Sequence, residues 1–208
     1  MRIAPLSPAT APAWAALMQA CGSGCFCRFW HFAGGKNDWL ARCFERPSDS
    51  RDEQLALVAQ GSPEARGLLA LEEAEEAEEE AEGEADVAIG WMKLAPRATL
   101  AKLRRQGAYR SLDLGPDDGV WSVACFLIHP ERRRRGVATA LLQAADAHVR
   151  QWGGRAIEAY PHRAGYALRD EEAWMGPEAM LVGCGYELAH DDGPYPVYRR
   201  NLAALGAP

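Results

Sequence analysis

The segment from Val120 to Trp152 constrains the fold of this 208-residue chain more than any other. Val120-Trp-Ser-Val-Ala-Cys-Phe-Leu-Ile128 is the most apolar run in the chain, rich in β-formers, unalternated, and bounded by Gly119 and Pro130. That is the pattern of a central strand buried on both faces. A basic turn, His129-Pro-Glu-Arg-Arg-Arg-Arg-Gly136, follows directly. From Val137 to Trp152, residues Ala138, Leu141, Leu142, Ala145, Val149 and Trp152 share one helical face, and Gly153-Gly154 ends the helix. Ala156 to Tyr160 reads as another strand, so the section is a strand–helix–strand unit with parallel pairing.

The remainder supplies helices and antiparallel strands. Thr10 is an N-cap candidate with Pro12 just behind it, and Trp14, Leu17, Met18 and Cys21 give the first helix its apolar stripe. Helices are expected from Asn37 to Phe44 and from Asp49 to Gln60, and a short one from Pro96 to Gln106. Gly67 to Leu71 and Val87 to Met92 read as two strands of a hairpin whose long tip is the acidic run 72–86. A last helix near Pro177 to Gly183 precedes Tyr186 to Leu188 and a final strand from Val197 to Leu202.

The basic turn carries the chemistry. A buried strand leads through it into a helix N-terminus whose first amides have no intrahelical acceptor. The turn contains no Ser, Asp or Asn to cap them, Gly136 lets a ligand approach the backbone, and four consecutive arginines surround the point. With the helix dipole added, this is a site for a phosphate or pyrophosphate. It lacks the Gly-Lys-Ser/Thr of a Walker A loop and the further glycines of a dinucleotide fingerprint.

Arg133-Arg134-Arg135-Gly136-Val137-Ala138 fits R/Q-x-x-G-x-G/A and resembles the signature of the GNAT (GCN5-related N-acetyltransferase) superfamily, as do the strand before it and Ala140-Leu141-Leu142 after it. The order of elements agrees across most of the chain. The resemblance implies an α/β fold: a mixed, mostly antiparallel sheet flanked by helices, with a central parallel pair splayed to admit a cofactor. It implies one acyl-CoA N-acyltransferase domain over 1–208, decorated by the acidic insert. The implied activity is direct transfer of an acetyl group from acetyl-CoA to a primary amine of a small molecule or peptide. Backbone of Phe126, Leu127 and Ile128 would pair with the pantetheine arm. Backbone of Arg134, Arg135, Gly136, Val137, Ala138 and Thr139 would hold the pyrophosphate. One or more of Arg132 to Arg135, Arg133 included, would meet the 3′-phosphate. An oxyanion would rest on the amide of Phe126 or Leu127.

The chain departs from the family at the general acid. Many members carry a tyrosine four residues before a Gly-Phe pair; here the pair is Gly185-Tyr186 and the position holds Leu181. Tyr160 is the expected substitute, with Glu158 on the same strand face as a base, and His162 and Tyr166 nearby. Without a working acid, the alternative is a non-catalytic acyl-CoA-binding sensor or regulatory module. Phe26, Phe29 and Trp30 are expected to line the acceptor pocket. Cys21, Cys25, Cys27 and His31 lie at a spacing unusual for zinc, and no metal is expected.

Charge and composition exclude other classes. The formal charge is −6, but ten of the 29 acidic residues fall in residues 72–86, leaving 19 against 23 Lys and Arg elsewhere. The body is mildly basic, short of the stripe a nucleic-acid binder needs, so no nucleic-acid partner is expected. No apolar stretch reaches membrane-spanning length, and Met1 to Ala20 carries three prolines and no basic segment before an apolar run. The expectation is a cytoplasmic protein without disulfides or membrane contact, with homodimerisation left open.

Overall fold

The structure, a computed structural model, describes residues 1–72, 86–191 and 193–202. Seven strands form one sheet in the order β1-β2-β3-β4-β5-β7-β6: β1 Arg2–Pro5, β2 Gly67–Glu72, β3 Val87–Pro96, β4 Val120–Ile128, β5 Ala156–Ala159, β6 Glu187–His190 and β7 Val197–Asn201. Every neighbouring pair is antiparallel except β4 with β5. The helices are α1 Ala11–Ala20, α2 Lys36–Phe44, α3 Pro47–Ala59, α4 Val137–Gln151 and α5 Glu178–Gly183. The mixed, mostly antiparallel sheet with one parallel pair is the fold that the sequence implied.

Both faces are covered, which explains the unalternated strands. On β2, Leu68 and Ala70 join Met92, Val123, Leu141, Leu142 and Ala145 in a core under α4. Leu69 and Leu71 join Trp14, Leu17, Met18 and Trp91 in a second core under α1. A Cβ on Gly90 would come within 2.6 Å of the Val137 side chain, so this glycine lets the start of α4 sit directly on β3.

Three features differ from the sequence reading. Arg2–Pro5 is an edge strand on β2; four residues ending in proline carry too little pattern to announce one. The expected helix from Pro96 to Gln106 is instead two single 3-10 turns, Arg97–Thr99 and Leu103–Arg105. Arg97 is drawn inward to buried partners and the Lys102 amide donates to the Trp30 carbonyl, which together divert the backbone from a continuous helix. Thr10 does stand at the N-cap of α1, but its hydroxyl turns back to the Pro5 carbonyl and makes no capping bond. The centre of the acidic run, 73–85, lies outside the described residues. Its flanks are tied down: Glu72 pairs with Arg132 and Asp86 with Arg2. Among the described residues, no helix is long and apolar enough to cross a membrane.

A buried polar cluster lies between β3 and the helices α1 and α3. Lys93, opposite Cys125 across the β3–β4 ladder, is fully buried; its Nζ donates to the Glu64 carbonyl at 2.6 Å and to Gln54 Oε1 at 3.2 Å. Burial, and then the Arg28 guanidinium, lower its pKa from 10.5 to about 7. Between those values the unfolded chain holds a proton that the folded one releases, so this group makes stability rise with pH, by up to ~1.4 kcal/mol per pH unit. Lys93→Met removes that slope. Urea denaturation should therefore show the variant gaining on the wild type as pH falls from 10 to 7, whereas a pH-independent difference would mean that Lys93 stays protonated in the fold.

Candidate active site

The parallel pairing of β4 and β5 runs from Val120↔Ala156 to Val123↔Ala159 and stops there. Two residues on, Pro161 has no amide to continue the ladder. On that edge β4 runs on to Ile128 without a partner strand, while its other edge stays paired with β3, so the backbone groups on the β5 side face a gap. The Ala124 carbonyl accepts the Trp30 indole N–H at 2.9 Å, and the Phe126 amide donates to the Trp174 carbonyl at 2.7 Å. Leu127, paired with Trp91, directs its backbone toward β3. Of the two amides expected to meet an oxyanion, the gap-facing one is that of Phe126.

The turn after β4 ends on the bare N-terminus of α4. Gly136, at φ +78°, is the N-cap; no side chain caps the helix, and its first turn holds no acidic residue. Nothing lies within 4 Å of where a Gly136 Cβ would point. Arg134 also takes a left-handed φ of +60°, a conformation that costs a residue with a side chain roughly 1–2 kcal/mol. Strain of this kind gathers at binding turns.

A cavity of about 800 Å³ opens between this turn, the gap-facing end of β4 and the segment 162–180. It is within the size range of small-molecule sites. Phe126, Leu127, Ile128, Arg133, Arg134, Gly136, Val137, Ala138 and Thr139 all line it. Arg135 is exposed and is not among the lining residues.

A family model described as the Acetyltransferase (GNAT) family matches residues 37–168, more than half of the chain. The chain belongs to this family. Solved structures share the GNAT fold at low identity. An aminoglycoside 6′-N-acetyltransferase from Enterococcus faecium is 13% identical, with a TM-score of 0.52 and all of both chains covered. The PaiA N-acetyltransferase of Thermoplasma acidophilum, in complex with coenzyme A, is 12% identical, with a TM-score of 0.51 over 97% of this chain and 99% of that one. A GCN5-related N-acetyltransferase from Kribbella flavida is 16% identical, with a TM-score of 0.51 over 97% of each. No curated protein matches the chain.

Within this GNAT fold the expected acid–base pair lies away from the cavity. Glu158 and Tyr160 are each 1% exposed, and neither lines it. Arg97 Nη1 reaches both oxygens of Glu158 at 3.0 Å, and Arg199 Nη2 donates to Oε1 at 2.6 Å. The Tyr160 hydroxyl donates to Glu158 Oε2 at 2.8 Å and lies 2.9 Å from Ser122 Oγ. Burial, and then the Glu158 charge, push the Tyr160 phenol well above its usual range. Leu181, at the family's tyrosine position, is fully buried in α5.

The aromatic loop divides. Phe26 is buried against Trp14 and lines a second cavity of about 590 Å³, which shares Gly22 and Ser23 with the lining of the first. Trp30 is buried and plugs the strand gap. Phe29 packs edge-on against Trp30, Trp39 and Trp174. No cluster of three or more His, Cys, Asp or Glu among the described residues could hold a metal ion.

The cavity also presents groups that the sequence marked weakly or not at all. His162, stacked on Tyr195 at 5.1 Å, and Tyr166 line it. So do Asp170, Glu171 and Glu178, which pair with Arg134, Arg133 and Arg163 respectively. Their common signal was a long stretch between β5 and α5 with neither helix nor strand pattern, a length that usually means function.

Glu158→Gln leaves two guanidinium groups around a neutral amide and should cost about 3–5 kcal/mol of stability; Tyr160→Phe should cost about 1 kcal/mol. Urea denaturation reads both. Normal stability with lost turnover in Tyr160→Phe would instead place this hydroxyl in the chemistry.

Proposed function

We propose that the protein is an acetyl-CoA-dependent N-acetyltransferase that transfers the acetyl group directly to an amine. The carrying observation is the β4–β5 gap opening onto the uncapped, arginine-flanked N-terminus of α4 within one cavity. Those features suit the parts of acyl-CoA: an amide row for the pantetheine, free helix amides and open space at Gly136 for the pyrophosphate, and Arg133 and Arg134 for phosphate charge.

Acetyl-CoA supplies an acyl group already activated as a thioester. The protein's main work is orientation, which can supply on the order of 7–11 kcal/mol. The Phe126 N–H is aimed at the gap where negative charge would develop on the acyl oxygen. Proton transfer falls to His162. His162 lines the cavity with a ring able to accept or donate a proton, whereas Asp170, Glu171 and Glu178 are engaged by arginines. Glu158 and Tyr160 are then structural, holding the parallel end of the gap.

The acceptor would enter from the second cavity. Its lining of Met18, Phe26, Trp39, Leu40 and Phe44, with Cys25 and Cys43, favours an amine on an apolar body. The aminoglycosides named for the Enterococcus faecium neighbour are polycations, and no acidic residue is among the described lining residues. Leu181 in place of a tyrosine supports the second reading, a sensor that binds acyl-CoA without turnover.

Calorimetric titration with acetyl-CoA should show micromolar binding, and Gly136→Val, which bars the backbone at φ +78°, should abolish it. Unchanged affinity in that variant removes the pyrophosphate placement. With an accepted amine, His162→Ala should lower kcat by about 10²–10⁴-fold while acetyl-CoA affinity stays within twofold of wild type. Steady thiol release by the wild type excludes the sensor, and wild-type kcat in His162→Ala excludes this histidine.

A further inference from the structure

Between β5 and α5 the chain runs from Tyr160 to Pro177 without a helix or strand. Its central part does not merely wall the cavity; it occupies the partners at both ends of it. At the phosphate end, Asp170 accepts from Arg134 Nη2 at 2.6 Å, and Glu171 accepts from Arg133 Nη1 at 3.0 Å. The second oxygen of Asp170 is 3.6 Å from the same Arg133 nitrogen. At the reacting end, the Trp174 carbonyl takes the Phe126 N–H at 2.7 Å. Two carboxylates thus sit where phosphates would be held, and a carbonyl sits where an acyl oxygen would be held. The family match ends at residue 168, before all three of these groups.

We propose that residues 164–176 form a displaceable strap across the acyl-CoA site, in which Asp170, Glu171 and the Trp174 carbonyl hold Arg134, Arg133 and the Phe126 amide until the cofactor takes those partners. The inference rests on the proposed function. Glycines bracket the strap: Gly165 at its start has open space around it, and Gly176 at its end adopts φ +82°. The anchors it places on the cofactor's partners are exchangeable, while Met175, buried in the core with Trp30 and Ala124, is its fixed end. Exposed carboxylate–guanidinium pairs contribute little, whereas a phosphate makes shorter, charge-assisted, often bidentate bonds to the same arginines. The backbone bond is replaced like for like, one carbonyl for another. The strap also links the two halves of the site, because the Trp174 ring packs on Phe29 and Trp30, 6.1 and 6.0 Å between centroids. Lifting it for the cofactor loosens the aromatic wall toward the second cavity.

Calorimetry with CoA at low ionic strength tests this on the full chain. Asp170→Asn/Glu171→Gln should bind CoA about three- to tenfold more tightly than wild type. Glu172→Gln removes an equal charge per site from the same stretch, but its carboxylate pairs with Arg169 and not with the turn; it should change affinity by less than twofold. Hydrogen exchange supplies the second readout: acetyl-CoA, which carries the acyl oxygen, should speed exchange of the amides from 170 to 176. The strap is overturned if the double variant binds no more tightly than Glu172→Gln, or if acetyl-CoA protects 170–176. Absence of CoA binding by the folded wild type overturns the proposed function, so the two failures are distinguishable.

Discussion

The site depends on one interruption in a hydrogen-bonded ladder. Backbone groups in a sheet interior must find partners, and β4 loses its neighbour after Val123 because β5 ends at Ala159 and Pro161 follows. Five residues of β4 are left with one edge unpaired in the middle of a seven-stranded sheet. The protein meets this demand with an indole N–H at Ala124 and a carbonyl at Phe126. Neither is a strand, so neither closes the gap. The result is a wedge with ordered polar groups on its wall, created by ending a strand early and not by cutting a hole in the core.

The rest of the fold holds that wedge in position. β4 is rigid because β3 pairs it along its other edge and because both faces are covered, by α4 on one side and by α1 and its loop on the other. Gly90 lets α4 start close against β3, which brings the helix N-terminus beside the end of the wedge. Glu158 on β5, bridging Arg97 in the turn after β3 and Arg199 on β7, fastens the parallel end. A hinge-like opening with one fixed end and one free end follows from these contacts.

The strand–turn–helix unit was legible in the sequence because its elements are long, strongly patterned and separated by a glycine with no capping residue. The sheet class followed from the resemblance of that unit to the GNAT signature, and the hairpin from two apolar runs around an acidic tip. β1 was not legible, since Arg2–Pro5 is a strand only because β2 offers it an edge. Glu158 and Tyr160 illustrate a different limit. Alternation correctly put them on one face, but it carries no information about what stands opposite, and Arg97 and Arg199 come from 61 and 41 residues away. A carboxylate in a strand looks the same whether it faces solvent, a substrate or two guanidinium groups. Asp170 and Glu171 sat in a polar stretch whose residues matter only because the arginine turn folds against them.

The two arginine systems show why buried and exposed charge serve different ends here. Arg97 is fully enclosed, with Glu158 and the carbonyls of Leu114, Gly115 and Pro116 as partners. Charge removed so completely from water cannot give up a partner without a penalty of several kcal/mol, so that cluster is permanent and unsuited to binding or proton transfer. Arg134 keeps 82% of its side-chain surface in water and Glu171 69%. Water substitutes for either partner at little cost, so these pairs form and dissolve within reach of a ligand's binding energy. The same residue type therefore fixes the narrow end of the wedge and leaves its mouth open to exchange, and the difference lies in how much water the carboxylate partner retains, 1% of its side-chain surface for Glu158 against 36% for Asp170 and 69% for Glu171.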